Sequence, residues 1–230
     1  MLWAAAELWR TTGEGEYRKA FEAGIDYLRT ADGVRIKIPG WNDLSAFSFW
    51  TYAMARRKGS SRRLLEQICS STARAAERLV ENSRENGYGN TMSLSDYVWG
   101  SNGVACNQSL LLLVADHLQK NDVFRQTAAE NLHYLLGRNC WDLSWITQLG
   151  TKPFQHPHHR PSAADNTIAP WPGLLSGGPN AHPGDRVARS LPKRAPMQMY
   201  QDNQGAYSLN EVAINWNAPL VFLLAALNER

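Results

Sequence analysis

Tyr200 to Ala218 reads YQDNQGAYSLNEVAINWNA, and these nineteen residues set two carboxylates, Asp202 and Glu211, among aromatic rings and side-chain amides. Glycosidic cleavage takes one carboxyl as proton donor and a second to activate water or attack the sugar, while aromatic faces hold pyranose rings. The pair therefore suits sugar chemistry. The same stretch opens a last helix, expected over about 209–229. Ser208-Leu-Asn-Glu211 fits a capping box, with Ser208 as N-cap and Glu211 at N3 reaching back to the cap's backbone N–H. There Glu211 has only a structural task, and the helix N-terminus keeps its carboxylate ionised. A proton donor needs the opposite bias, which burial against Trp216 or Tyr207 and the negative charge of Asp202 would supply. Asp202 has its own plain reading, a turn made with Asn203 and Gly205.

Upstream, helical signals dominate. Apolar positions recur at three and four residues over about 2–11, 16–31, 42–57, 61–83, 103–119 and 121–136. Turn chemistry separates them at Thr12-Gly13, Pro39-Gly40, Lys58-Gly59 and Asn86-Gly-Tyr-Gly-Asn90, with Gly137 as a C-cap. With the last helix this makes an all-α chain of about seven helices, and the short loops imply antiparallel hairpins. From about 139 to 207 the periodicity fades and most of the prolines appear. Irregular segments of that length inside a domain are usually functional, so a site is sought there.

Composition excludes several classes. At 230 residues with 43% apolar and 20% charged content, the chain can bury a core in one domain. The longest apolar runs, Leu110 to Ala115 and Ala218 to Leu227, are too short to span a bilayer. The opening helix carries Glu7 and no basic region before it, so it does not read as an export signal. Cys69, Cys106 and Cys140 are odd in number and lack a CxxC pair, which suits buried thiols. The net charge is +3, and the basic run Arg56-Arg57-Lys58 with Arg62-Arg63 has no interleaved aromatics. It reads as a solvated loop and not as a nucleic-acid surface.

His156-Pro-His-His-Arg160 invites a zinc reading, but Pro157 forbids a helical pair and no HExxH supplies further ligands. The alternative is that an imidazole and the Arg160 guanidinium bond sugar hydroxyls. Pro172 to Asn180 contains glycines but no GK[ST], so it suits a rigid loop better than a phosphate cradle. Trp99 and Trp171 are candidate stacking platforms, with core packing the plain reading of each.

These residues resemble glycoside hydrolase family 9. Ser144 to Arg160, SWITQLGTKPFQHPHHR, is similar to the family's histidine motif ending in H-x-R. Tyr200 to Ala218 is similar to its aromatic-x-D, aromatic, E, N-A motif, with Asp202, Tyr207, Glu211, Asn217 and Ala218 in register. Trp99-Gly-Ser-Asn102, Tyr134 to Asn139, Pro161 to Asp165, Gly177 to Asn180 and the opening helix extend the likeness nearly end to end.

The resemblance implies a partial (α/α)6 toroid with long irregular active-site loops, residues 1–230 being the C-terminal part of one catalytic domain. It implies hydrolysis of β-1,4-glucosidic bonds with inversion. Glu211 becomes the general acid, Asp202 and His158 its supports, and Arg160, Tyr207 and Trp99 substrate contacts. No cofactor is implied for the chemistry and no metal at the catalytic site. Structural calcium is common in the family, and Asp165 with the Ile168 carbonyl matches one such position. The family's base lies in an N-terminal D-x-G-D motif, which this sequence does not contain; Gly184-Asp185 lacks the pattern. The implied partners are a β-glucan and the missing N-terminal half, with no nucleic acid and no membrane, and an intact parent is expected to be secreted. A rival reading is a non-catalytic glycan binder using Trp99, Trp171, Tyr200 and Tyr207 as platforms; another is an exo-acting glycosidase on oligosaccharides or amino sugars.

Overall fold

Among the described residues, seven helices of ten residues or more form where the apolar spacing puts them, and three single-turn helices sit in or at the end of the irregular stretch. The computed structural model describes residues 1–228. In chain order the helices are α1 (Leu2–Thr12), α2 (Gly15–Gly24), α3 (Ser45–Met54), α4 (Arg62–Glu85), α5 (Ser101–Leu118), α6 (Asp122–Leu135), α7 (Arg160–Ala164), α8 (Arg186–Arg189), α9 (Tyr207–Asn210) and α10 (Ile214–Asn228). One antiparallel hairpin, β1 (Arg29–Thr30) with β2 (Gly33–Val34), is the only sheet among the described residues. No helix of the described residues is long and apolar enough to cross a membrane.

The chain packs as two compact units. Residues 1–78 with 111–125 make the first, and 79–110 with the chain from Gln126 onward make the second. In the first unit, α1 packs against α2 and α3. Gly13 takes a left-handed φ of 77° and ends α1, a conformation any β-carbon would strain. Arg57 then donates from Nε and Nη2 to the carbonyl of Arg10, and from Nη2 to that of Thr11, closing the helix C-terminus with a cation. Phe21 stacks on Tyr52 with ring centres 4.7 Å apart and meets Phe49 edge-on, which fixes α2 against α3.

Three helix boundaries differ from the periodicity. The segment expected over 16–31 stops at Gly24, and the chain then turns through Asp26–Leu28 into the hairpin. The hairpin wins because Val34 donates its N–H to Ser71 of α4, and Gly33 lies so close that a β-carbon would stand 2.3 Å from the Ser71 hydroxyl. The helix expected over 42–57 begins only at Ser45, whose N–H is taken by the Asp43 carboxylate. The last helix begins at Ile214 rather than 209, because Tyr207 to Asn210 close a separate turn.

In the second unit a buried side-chain network ties two helices together. Asn131 of α6 donates to Thr91 Oγ1, the Ala105 carbonyl and Ser109 Oγ and accepts the Thr91 N–H, so a fully buried amide locks α5 to α6. Trp216 of α10 lies on the start of α5. A β-carbon at Gly103 would stand 2.4 Å from its ring. All three cysteines are free; Cys106 is buried and Cys69 and Cys140 are half-buried, and burial pushes every one of these thiols up.

The irregular stretch is a set of backbone bridges. Residues 174–178 run between two other segments: Thr147 N–H donates to Leu174, Ser176 N–H to Trp145, Gly177 N–H to Glu211 and Gly178 N–H to Leu209. Ser176 through Asn180 are buried, so the Pro-Gly run is a structural ribbon that carries the segment ending in Glu211.

Candidate active site

Glu211 lies where two loops meet. The His158 N–H donates to the Asn210 carbonyl at 2.8 Å, making a parallel bridge between His158 and Glu211, while the Glu211 carbonyl accepts from Gly177 at 2.8 Å. Its backbone is extended (φ −59°, ψ 150°), so the side chain leaves the α9 turn. The carboxylate accepts the indole N–H of Trp99 at 3.0 Å.

The capping-box reading of Ser208 and Glu211 is overturned. Ser208 is fully buried and gives both its N–H and its hydroxyl to the Asp185 carboxylate, and the N-cap residue of α9 is Ala206, with no side-chain cap. Buried Asp185 also caps α8 through Ala188 N–H at 2.7 Å. Burial alone would raise the Asp185 carboxyl, yet these donors outweigh it and hold the group below its ordinary value. The turn assigned to Asp202 belongs to Asn203, whose side chain accepts Gly205 N–H at 2.8 Å. Asp202 instead accepts the N–H groups of Gln155 at 2.7 Å and His156 at 2.9 Å, two residues before His158.

His158 Nδ1 lies 2.9 Å from the Gln204 carbonyl, which can only accept, so Nδ1 carries the proton and neutral His158 presents Nε2 as an acceptor. The Tyr207 ring lies 5.6 Å from that imidazole and 5.7 Å from the Trp99 indole, both centre to centre. Tyr207 and Trp99 are 37% and 44% exposed, enough to offer faces to a ligand. The structure thus brings Glu211, His158, Tyr207 and Trp99 together.

Other expected residues fall elsewhere. Arg160 is the exposed first residue of α7, and its side chain makes no hydrogen bond or ion pair with a described residue. Trp171 meets His159 edge-on at 5.3 Å and donates to Asp165 at 2.6 Å, a separate cluster. Tyr200 is no platform: it is 3% exposed, packs against Trp145, and its hydroxyl bonds Asn210 at 2.6 Å. Asn210 also donates to the carbonyls of Gln201, Asn203 and Ala206, tying the loop before the acid to the residue beside it. That role was missed, since an amide in sequence carries no direction.

The three neighbouring imidazoles diverge: the Nδ1 atoms of His156, His158 and His159 face Asp202, Gln204 and Ser162. Among the described residues no three His, Cys, Asp or Glu side chains gather in a way that could hold a metal ion. Asp165 spends its two oxygens on Thr167 N–H and the Trp171 indole, bonds that hold its carboxyl below its ordinary value. With the exposed Ile168 it does not by itself make the six to eight oxygens of a calcium site.

The sequence model of Glycosyl hydrolase family 9 matches residues 1–224. Endoglucanase D of Acetivibrio thermocellus is 35% identical over 97% of the chain, and a cellodextrinase of Butyrivibrio fibrisolvens is 34% identical over 99%. The chain spans 33% and 43% of the lengths of these two relatives. A thermostable endoglucanase of Alicyclobacillus acidocaldarius superposes on the whole chain with a TM-score of 0.90 at 33% identity, the match taking 42% of that protein. Family structures have the (α/α)6 barrel, and the helical chain matches part of one. The chain belongs to glycosyl hydrolase family 9.

Proposed function

We propose that these 230 residues supply the acid-bearing part of a hydrolase of β-1,4-glucans, with Glu211 protonating the departing sugar oxygen. The observation that carries this reading is the Glu211 carboxylate held off the helix by the bridge to His158, with Trp99 and Tyr207 beside it. His158 bonds a sugar hydroxyl through Nε2, Asp202 fixes the loop that carries His158, and Arg160 contacts sugar beyond it. Tyr207 and Trp99 offer faces to pyranose rings. Relatives named as endoglucanase, cellodextrinase and xyloglucan-specific endo-beta-1,4-glucanase support a β-glucan as the substrate class.

The reaction inverts the anomeric centre. Water attacks the ring face opposite the acid, activated by a second carboxylate about 6.5–9.5 Å from the first. That base is supplied by a further segment of the domain, since the two carboxylates that most closely precede Glu211 in sequence, Asp202 and Asp185, are engaged by backbone N–H groups and Ser208. The test is reducing-sugar release from a soluble β-1,4-glucan. Residues 1–230 alone are expected to give none, and the domain restored with its D-x-G-D segment to give turnover that Glu211→Gln lowers by about 10²–10⁴-fold. Turnover by the 230 residues alone, lost in Glu211→Gln, would overturn the external base. Full activity of Glu211→Gln in the restored domain would overturn the acid assignment.

A further inference from the structure

Arg186, Arg189, Lys193 and Arg194 are all exposed, and no described residue forms an ion pair with any of them. From His182 to Gly205 the only carboxylates are Asp185 and Asp202. Both are turned inward, Asp185 to Ser208 and Ala188, Asp202 to Gln155 and His156. The outward face of this segment therefore carries four uncompensated positive charges on a chain whose net charge is only +3.

The segment is fastened to the wall that bears the acid. Gly184 N–H donates to Ser208 Oγ at 3.1 Å, and a β-carbon on Gly184 would stand 3.0 Å from the Trp99 ring. Asp185 grips the Ser208 N–H, and a β-carbon on Gly205 would stand 3.2 Å from Val187. Arg186 thus follows directly on a residue bound to Ser208, three positions before Glu211.

We propose that this cationic rim beside Trp99 binds glycan chains carrying carboxylates, such as uronate-substituted β-glucans. The proposal rests on the glycan reading above and adds the charge of the ligand to it. A nucleic acid is the weaker fit, because the rim has no aromatic side chain between its cations to stack on bases. Exposed charges act over a Debye length of about 10 Å at 0.1 M salt and about 3 Å at 1 M. Attraction by the rim must therefore fade with salt.

The experiment is affinity electrophoresis of the 230-residue chain in gels containing carboxymethyl cellulose or neutral hydroxyethyl cellulose. It compares wild type with the triple variant Arg186→Gln, Lys193→Gln, Arg194→Gln, Arg189 being kept because it bonds the Pro183 carbonyl. Circular dichroism checks the fold, and the single variant Lys193→Gln repeats the measurement should the triple variant be misfolded. Expected are tighter binding of the charged polymer, loss of that advantage in high salt, and about tenfold weaker retention in the triple variant with hydroxyethyl cellulose unaffected. Equal affinity for both polymers, or no change in the folded variants, overturns the rim while leaving the glycan reading intact. Binding of neither polymer overturns both, and equally strong, variant-sensitive retention by a single-stranded oligonucleotide replaces the rim with a general polyanion surface.

Discussion

Trp99 and Glu211 are 112 residues apart in sequence, yet the indole N–H of one donates to the carboxylate of the other at 3.0 Å. A donor fixed by packing against Tyr207 and Gly184 holds the acid in one orientation before substrate arrives. In the restored domain, Glu211→Gln is expected to lower kcat by about 10²–10⁴-fold with little change in KM. Trp99→Phe keeps a smaller aromatic face and removes the N–H donor, so its loss should be smaller and should also appear in kcat. Steady-state kinetics on a soluble β-1,4-glucan decide; a Trp99→Phe enzyme altered in KM alone would make the indole a ligand platform only.

Asp202 holds two consecutive amides of the histidine loop. Asp202→Ala leaves both N–H groups without their acceptor and is expected to cost about 1–3 kcal/mol. Proteolysis should then cut first near 155–159. Unchanged denaturation midpoint and cleavage pattern would show that the loop needs no such clamp.

Asp185 gives the chain a signed pH dependence. Its folded carboxyl lies below the ordinary value, so its stabilisation is complete above the unfolded pKa of about 3.9 and is lost as pH falls through the folded value. Urea denaturation should show Asp185→Asn weaker than wild type by about 2–3 kcal/mol near neutrality. The gap should close in acid. A gap independent of pH would mean that the carboxylate charge contributes nothing.

Gly103→Ala tests the seat of Trp216. In an open helix the change gains about 1 kcal/mol. Here the new β-carbon meets the indole at 2.4 Å, and overpacking of this kind costs about 1–3 kcal/mol. A lowered melting temperature is expected, and a raised one would show that the ring can move aside.

On α10, Ile214, Val221 and Phe222 are 89%, 63% and 42% exposed, opposite buried Leu220 and Leu223. A helix apolar on all sides is normally covered on all sides. Sedimentation of the chain should show self-association that Val221→Lys with Phe222→Lys relieves. A monomer at every concentration would mean that water tolerates this face.

The positions of α1, α4, α5 and α6 were legible because each carries a long run of period-3.6 spacing, and Gly13 and the Lys58-Gly59 turn mark the end of α1 and the approach to α4. The hairpin after α2 was not, because what selects it is Ser71, a residue far along the chain. The motifs also named Glu211, His158 and Tyr207, since residue type and order survive in the sequence itself.

Direction is what the sequence could not hold. Ser208 and Glu211 satisfy the spacing of a capping box, and only the carboxylate of Asp185, brought in from another loop, takes Ser208 away from that role. Tyr200 and Tyr207 are equally good stacking platforms by type, and packing against Trp145 buries the first while the second stays open beside His158. The sequence thus determined which helices form and which groups are available for chemistry, because spacing and residue type are local properties. Which carboxylate faces outward and which is consumed by backbone N–H groups was decided by tertiary structure, because hydrogen-bond partners distant along the chain compete for the same atoms.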